Sequence, residues 1–141
     1  MMTSWGRPAL ITLRWLYALF WVSTPLSLLL FDVQPPRQPT AEANAFWDAI
    51  AATGFMVPLL GFNYFVGGVL CFVERTTPLG LAILSPVLLI AAFFNVLLAH
   101  DAGPWIVIVI AHLWLMWTYR AAYVPLWSYR RRALVGKELA G

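Results

Sequence analysis

Four stretches of this chain run for about the length of a bilayer crossing with almost no charged side chain: residues 9–31, 54–73, 79–99 and 105–126. At about 1.5 Å of rise per residue each would cross a hydrocarbon core of about 30 Å. Their apolar residues are continuous rather than confined to a stripe, as expected of helices surrounded by lipid or protein on every side. The first run follows Arg7 as a signal sequence would, but its apolar part is too long for one. No small-x-small cleavage pattern follows Pro25, so residues 9–31 read as a retained span. Between the first two runs lies the longest polar segment. Pro35, Pro36 and Pro39 break its start, and Thr40 then stands as an N-cap before the helix formers of residues 40–50. Phe46, Trp47 and Ile50 fall on one side there, which predicts a short helix lying at the membrane interface. The connection 74–78 is only a few residues long, so the helices it joins should be antiparallel neighbours, and residues 100–104 read as a tight polar turn. The expected fold is all-α: a four-transmembrane-helix bundle forming one integral membrane domain over residues 1–141, with the interfacial helix in the first outer loop and a basic tail at 127–141.

Small residues say how such helices would meet. Gly54, Gly61 and Gly68 recur at heptad spacing within the second run, with Gly67 beside them. Glycine is a poor helix former in water, yet in lipid small residues let two backbones approach closely. Ala91, Asn95 and Ala99 form a second small or polar stripe at four-residue spacing in the third run. Gly54, Gly61, Gly67, Gly68, Ala91 and Asn95 are therefore the expected helix-packing positions.

Composition sharpens the class: 62% of residues are hydrophobic and 11% charged, against roughly 45–50% and about 25% for soluble domains. The net charge of +3 is not a nucleic-acid signature, because the basic residues gather at the ends of apolar runs. With four spans, Arg7, Arg75, Arg130, Arg131, Arg132 and Lys137 fall on one side. Arg14 and Arg120 snorkel toward that side and Glu74 lies among them. By the positive-inside rule both termini face the cytoplasm, and the expected location is the bacterial cytoplasmic (inner) membrane. The Arg130–Arg132 run suits anionic headgroups. A single cysteine, Cys71, excludes an intrachain disulfide and a cysteine-clustered metal site.

Chemistry-bearing residues at depth are few. His112 sits about 12 Å inside the fourth run by its offset from the run's start, and an intramembrane ionisable residue is a functional candidate by default. Its imidazole would hydrogen-bond another helix, relay protons, or ligate the metal of a haem or chlorin. Asn63 and Asn95, on neighbouring runs, would add amide contacts between helices, or with His112 and the many aromatic rings would line a quinone pocket. No cofactor is required by the sequence. Neither a phosphate loop, a Ser/His/Asp arrangement nor a pair of carboxylates stands within the spans, so catalysis by this chain alone is not expected.

From Gly68 onward, residues match a family pattern. Gly67-Gly68 is followed by Arg75-x-x-Pro78-Leu79-x-Leu81, then Leu84-Ser85-Pro86, and finally Tyr119-Arg120-Ala121-Ala122-Tyr123-x-Pro125-Leu126. In these features the last two thirds of the chain resembles the DoxX-like family of small four-helix integral membrane proteins. Where that family often has a glutamate this chain has Tyr64, and where it often has Asn and His this chain has Ile90 and Asn95. The resemblance implies the fold and its company: membrane subunits beside oxidoreductases, including a thiosulfate:quinone oxidoreductase and a thiol-redox assembly. The expected role is an accessory or scaffolding subunit of a larger redox or energy-converting membrane complex. Its partners would be the lipid bilayer and other membrane subunits or further copies of the chain.

Overall fold

The computed structural model describes residues 6–31 and 37–126, and every regular element among them is helical. Five α-helices follow in order: α1 (Gly6–Phe31), α2 (Ala41–Ala52), α3 (Met56–Phe72), α4 (Thr77–Phe93) and α5 (Gly103–Thr118). A π-helical turn, Phe94–Leu98, extends α4, and a 3₁₀ turn, Arg120–Ala122, follows α5. The expected basic tail at 127–141, with Arg130, Arg131, Arg132 and Lys137, lies outside the described residues, as does Asp32 to Pro36 of the first loop.

Two helical runs, Arg7–Leu28 and Thr77–Leu98, are each long and apolar enough to cross a membrane. Two further runs reach that length only as bent pairs: α2 with α3, at 92°, and α5 with Arg120–Leu126, at 60°. The number of crossings the helices can make is therefore two to four. At 17 and 16 residues, α3 and α5 stand at the short limit of about 17 residues for a spanning helix.

Helices α1, α3, α4 and α5 pack in cyclic order, each against the next, with α5 returning to α1. Side-chain pairs give their directions. Pro25 faces Gly61 while Trp15 meets Phe72 edge to face, so α1 and α3 are antiparallel. Leu84 faces Gly67 while Cys71 faces Gly80, so α3 and α4 are antiparallel as well. The beginning of α1 and the end of α5 consequently share one end of the bundle, where Arg14 meets Tyr119. Tyr17, Ala18, Trp21, Cys71, Leu81, Leu84, Leu88 and Leu115 form the buried core. The outward faces are as apolar as the core: Phe62, Val107 and Trp117 are each 67% exposed and Trp114 62%. In water such a surface would forgo about 25 cal/mol for every apolar Å² left uncovered, a cost that lipid tails remove.

Helix boundaries differ from the sequence expectation at two places. Gly54, expected inside the second span as a packing residue, lies in the turn between α2 and α3 at φ +74, and a Cβ there would meet nothing within 4 Å. Pro58 explains the break, because it has no N–H to return to the Gly54 carbonyl. Gly54 instead takes the left-handed position that ends α2, its N–H bonded to the carbonyl of Ala51. Thr53 closes the corner by donating to the Ile50 carbonyl and accepting from the Met56 N–H. At the other end, the fourth run is not one helix to Leu126 but stops at Thr118. Pro125 lacks the N–H that would reach the Ala121 carbonyl, and the Tyr123 hydroxyl is tied at 2.8 Å to the carbonyl of Pro78.

The short helix appears at Ala41–Ala52 with Thr40 as its N-cap. One hydroxyl serves two elements: Thr40 Oγ1 accepts from the Ala43 N–H and donates to the Leu98 carbonyl. That carbonyl is the last of the π-turn, one of the helix-end carbonyls that no N–H of the same helix reaches. Phe46 packs on Phe94 at 5.4 Å beside it.

Candidate functional site: a buried tyrosine–histidine–serine chain

His112 is the centre of the polar interior. It lies on α5 at 3% exposure, and both ring nitrogens meet side chains of other helices. Nδ1 is 2.5 Å from the Tyr17 hydroxyl of α1, and Nε2 is 3.0 Å from Ser85 Oγ of α4. Ser85 Oγ is also 2.8 Å from the Leu81 carbonyl one turn back along α4, and 3.7 Å from Met116 Sδ. Counting hydrogens assigns the direction of each bond. A serine on a helix donates its single proton best to the carbonyl four residues earlier, which leaves Oγ to accept from Nε2–H. The neutral imidazole then has a lone pair only at Nδ1, and the Tyr17 O–H donates to it. Every hydrogen has an acceptor in this arrangement, as a buried polar chain requires.

Local spacing places the three side chains. Arg14, Tyr17, Ala18 and Trp21 recur at three- and four-residue intervals and make the inner stripe of α1, all of them buried. His112 and Leu115 make the buried stripe of α5, and Leu81, Leu84 and Leu88 that of α4. Ser85 stands at the edge of the latter, facing α5.

Nearer the shared end of the bundle, Arg14 is buried at 7% exposure. Its Nη1 is 3.4 Å from the Tyr119 hydroxyl and 3.8 Å from a Glu74 carboxylate oxygen, while its Nε is buried without a partner. Of the two cations expected near Glu74, Arg14 is the one that reaches it. Arg120 instead lies over the Trp117 ring at 4.7 Å and donates to the Trp117 carbonyl. Arg75 is exposed.

The other expected site residues do not join His112. Asn95 is buried in the π-turn, its side-chain Nδ2 donating to the Ala91 carbonyl and its backbone carbonyl accepting from the Asp101 N–H. It is ten residues beyond Ser85, about 15 Å along the axis. Ala91 is half-buried there. Asn63 is half-buried on α3, four residues before the Gly67 that faces α4, and its Oδ1 is buried with no hydrogen-bond partner. Groups of three or more His, Cys, Asp or Glu able to hold a metal ion are absent among the described residues.

Close helix packing is concentrated at three glycines. A Cβ at Gly67 would lie 2.5 Å from Leu84 Cγ of α4, and one at Gly68 would lie 2.8 Å from Val22 Cγ2 and 3.1 Å from the Val22 backbone nitrogen of α1. Adjacent helix positions point about 100° apart, so this doublet serves two neighbours at once. Gly80 on α4 is the third: a Cβ there would lie 2.6 Å from the Gly67 carbonyl oxygen. A Cβ at Gly61 would make only an ordinary contact, 3.5 Å to Pro25 Cβ.

Tyr17 carries no sequence motif, and Ser85 enters the sequence pattern only within Leu84-Ser85-Pro86. The available signal for Tyr17 was its place between Arg14 and Trp21 on one helical stripe. Comparison of the chain with protein-family models, curated proteins and solved structures returns no match.

Proposed function

We propose that this chain is a four-span integral membrane protein that serves as an accessory or scaffolding subunit of a larger, redox or energy-converting membrane complex. In this reading α3 contributes one crossing and α5 with Arg120–Leu126 another, both termini lie on the cytoplasmic side of a bacterial inner membrane, and α2 rests at the opposite interface. The observation that carries the reading is how the deep polar groups are used. Both nitrogens of His112 are bonded to helices of the same chain, so the interior is organised to hold α1, α4 and α5 together. The exposed rings and aliphatic side chains on the outside of α3, α4 and α5 would then face lipid or neighbouring subunits. The resemblance to DoxX-like proteins, which accompany oxidoreductases, supports the same company.

Affinity purification from native membranes in a mild detergent tests this. The expected result is a stable set of co-purifying membrane subunits that dissociates or loses activity when the chain is deleted. Recovery of the chain alone, with every membrane complex intact in the deletion strain, would refute the role.

A further inference from the structure

The contact between Tyr17 and His112 has a chemical polarity that a helix brace does not need. A phenol in a dry interior is hard to oxidise, because removal of one electron leaves an acidic radical cation whose proton has nowhere to go. Here a neutral imidazole presents its lone pair 2.5 Å from the phenol oxygen. The imidazole is held in that tautomer from behind, Nε2–H to Ser85 and Ser85 to the Leu81 carbonyl.

We propose that Tyr17 is a redox-active tyrosine that gives up one electron while passing its phenolic proton to Nδ1 of His112. The O–H bond of Tyr17 breaks and an N–H bond forms at Nδ1. The products are a neutral tyrosyl radical and an imidazolium whose Nε2–H still rests on Ser85. The electron goes to a one-electron oxidant of the high-potential metal-centre class, reduced by one equivalent; on re-reduction of the radical the proton returns from Nδ1 to the phenol oxygen.

The surroundings supply a route as well as a terminus. Trp21 lies 6.1 Å from Tyr17 between ring centroids, and Tyr64 lies 4.8 Å beyond on half-buried α3 surface. The indole N–H of Trp21 is buried with no carboxylate, imidazole or carbonyl to accept from it, and the polar side chain it approaches is the weakly basic Tyr17 phenol. An electron vacancy on Trp21 therefore has no base to trap it there, whereas at Tyr17 proton transfer to His112 does. The vacancy runs inward and stops at the pair. Arg14, Glu74 and Tyr119, grouped toward the shared end of the bundle, are the nearby charged and titratable groups, and Glu74 offsets the Arg14 charge that would otherwise oppose an imidazolium. Cys71 of α3 belongs to the same buried core.

The test uses the purified full chain in detergent, with photogenerated tris-bipyridyl ruthenium(III) as the oxidant and electron paramagnetic resonance and transient absorption as readouts. Because the oxidant is supplied, the outcome does not depend on the subunit role proposed above. The wild type should yield a tyrosyl radical whose rise is independent of the concentration of buffer base and slower in heavy water. Tyr17→Phe, which keeps the ring and its packing, should abolish that radical. His112→Gln should slow its formation about a hundredfold, the lower range of what a positioned base contributes. The same tyrosyl spectrum and yield in Tyr17→Phe, no tyrosyl radical in the wild type, or a wild-type rise that requires buffer base would each overturn the proposal. The last measurement needs no variant, so a failure of His112→Gln to fold leaves the question decidable.

Discussion

Gly80→Ala is the substitution on which the packing of α3 against α4 can be judged. The new methyl carbon would stand 2.6 Å from the Gly67 carbonyl oxygen, 2.9 Å from Cys71 Sγ and 3.0 Å from Leu70 Cβ. The first of these atoms is helix backbone and cannot turn aside, so α3 and α4 must separate. Overpacking of this kind costs about 1–3 kcal/mol, and alanine recovers at most about 1 kcal/mol through its better helix propensity. The expected net loss is about 0–2 kcal/mol against wild type, and about 1–3 kcal/mol against a glycine-to-alanine change that makes no close contact. Gly61→Ala is the internal control: its Cβ would make an ordinary 3.5 Å contact with Pro25, so only the propensity gain remains and stability should hold or rise slightly. Gly54→Ala separates backbone strain from packing. Nothing lies within 4 Å of that Cβ, but φ is +74, and an L-residue in the left-handed region loses roughly 1–2 kcal/mol. Unfolding in mixed micelles with increasing dodecyl sulfate, followed by helical circular dichroism, should rank Gly61→Ala at or above wild type and the other two below it. Equal stability of Gly80→Ala and Gly61→Ala would refute the close approach of α3 and α4. Gly54→Ala behaving as Gly61→Ala would refute the break between α2 and α3.

Two further outcomes are expected. Thr40→Val removes the N-cap of α2 and the donor to the part-buried Leu98 carbonyl together; at about 1 kcal/mol for a cap and about 1 kcal/mol for the lost hydrogen bond, it should accelerate amide exchange in both α2 and the π-turn. Unchanged exchange at the π-turn would show that the two elements are not joined through Thr40. Cysteines placed at Gln38 and Arg75, in a background lacking Cys71, should be labelled by a membrane-impermeant maleimide from opposite sides of the membrane if α3 is a crossing, and labelling of both from one side would remove that crossing.

Helical content was legible from the chain because unbroken apolar runs of bilayer length have few alternatives once the solvent is lipid. Boundaries were less so, since hydropathy is indifferent to where the hydrogen-bond ladder breaks. The heptad spacing of Gly54 with Gly61 and Gly68 invited one continuous stripe, yet Pro58 carried the contrary information: without its N–H the Gly54 carbonyl has no helical partner. Tyr119 and Pro125 conceal a similar break inside an otherwise uniform run. The Gly67–Gly68 doublet was readable as a packing feature because two adjacent glycines in a lipid-length helix have no other evident use. Gly80 was not, standing alone in the first turn of α4.

His112 shows where one-dimensional reading stops. Its depth marked it, but its partners are 95 and 27 residues distant along the chain, and neither is close to it on any local repeat. Only the closure of α5 onto α1 and α4 brings a phenol and a serine to opposite sides of one imidazole. That closure also decides which chemistry is open to the ring. With Nε2–H spent on Ser85 and the Nδ1 lone pair spent on Tyr17, a metal or a quinone could take a ring nitrogen only by displacing a bond that joins two helices, at a cost of about 1–3 kcal/mol for the buried group left behind. A proton moving from Tyr17 to Nδ1 needs no such displacement. It exchanges O–H···N for O···H–N between atoms already in contact, and so can leave every helix where it stands.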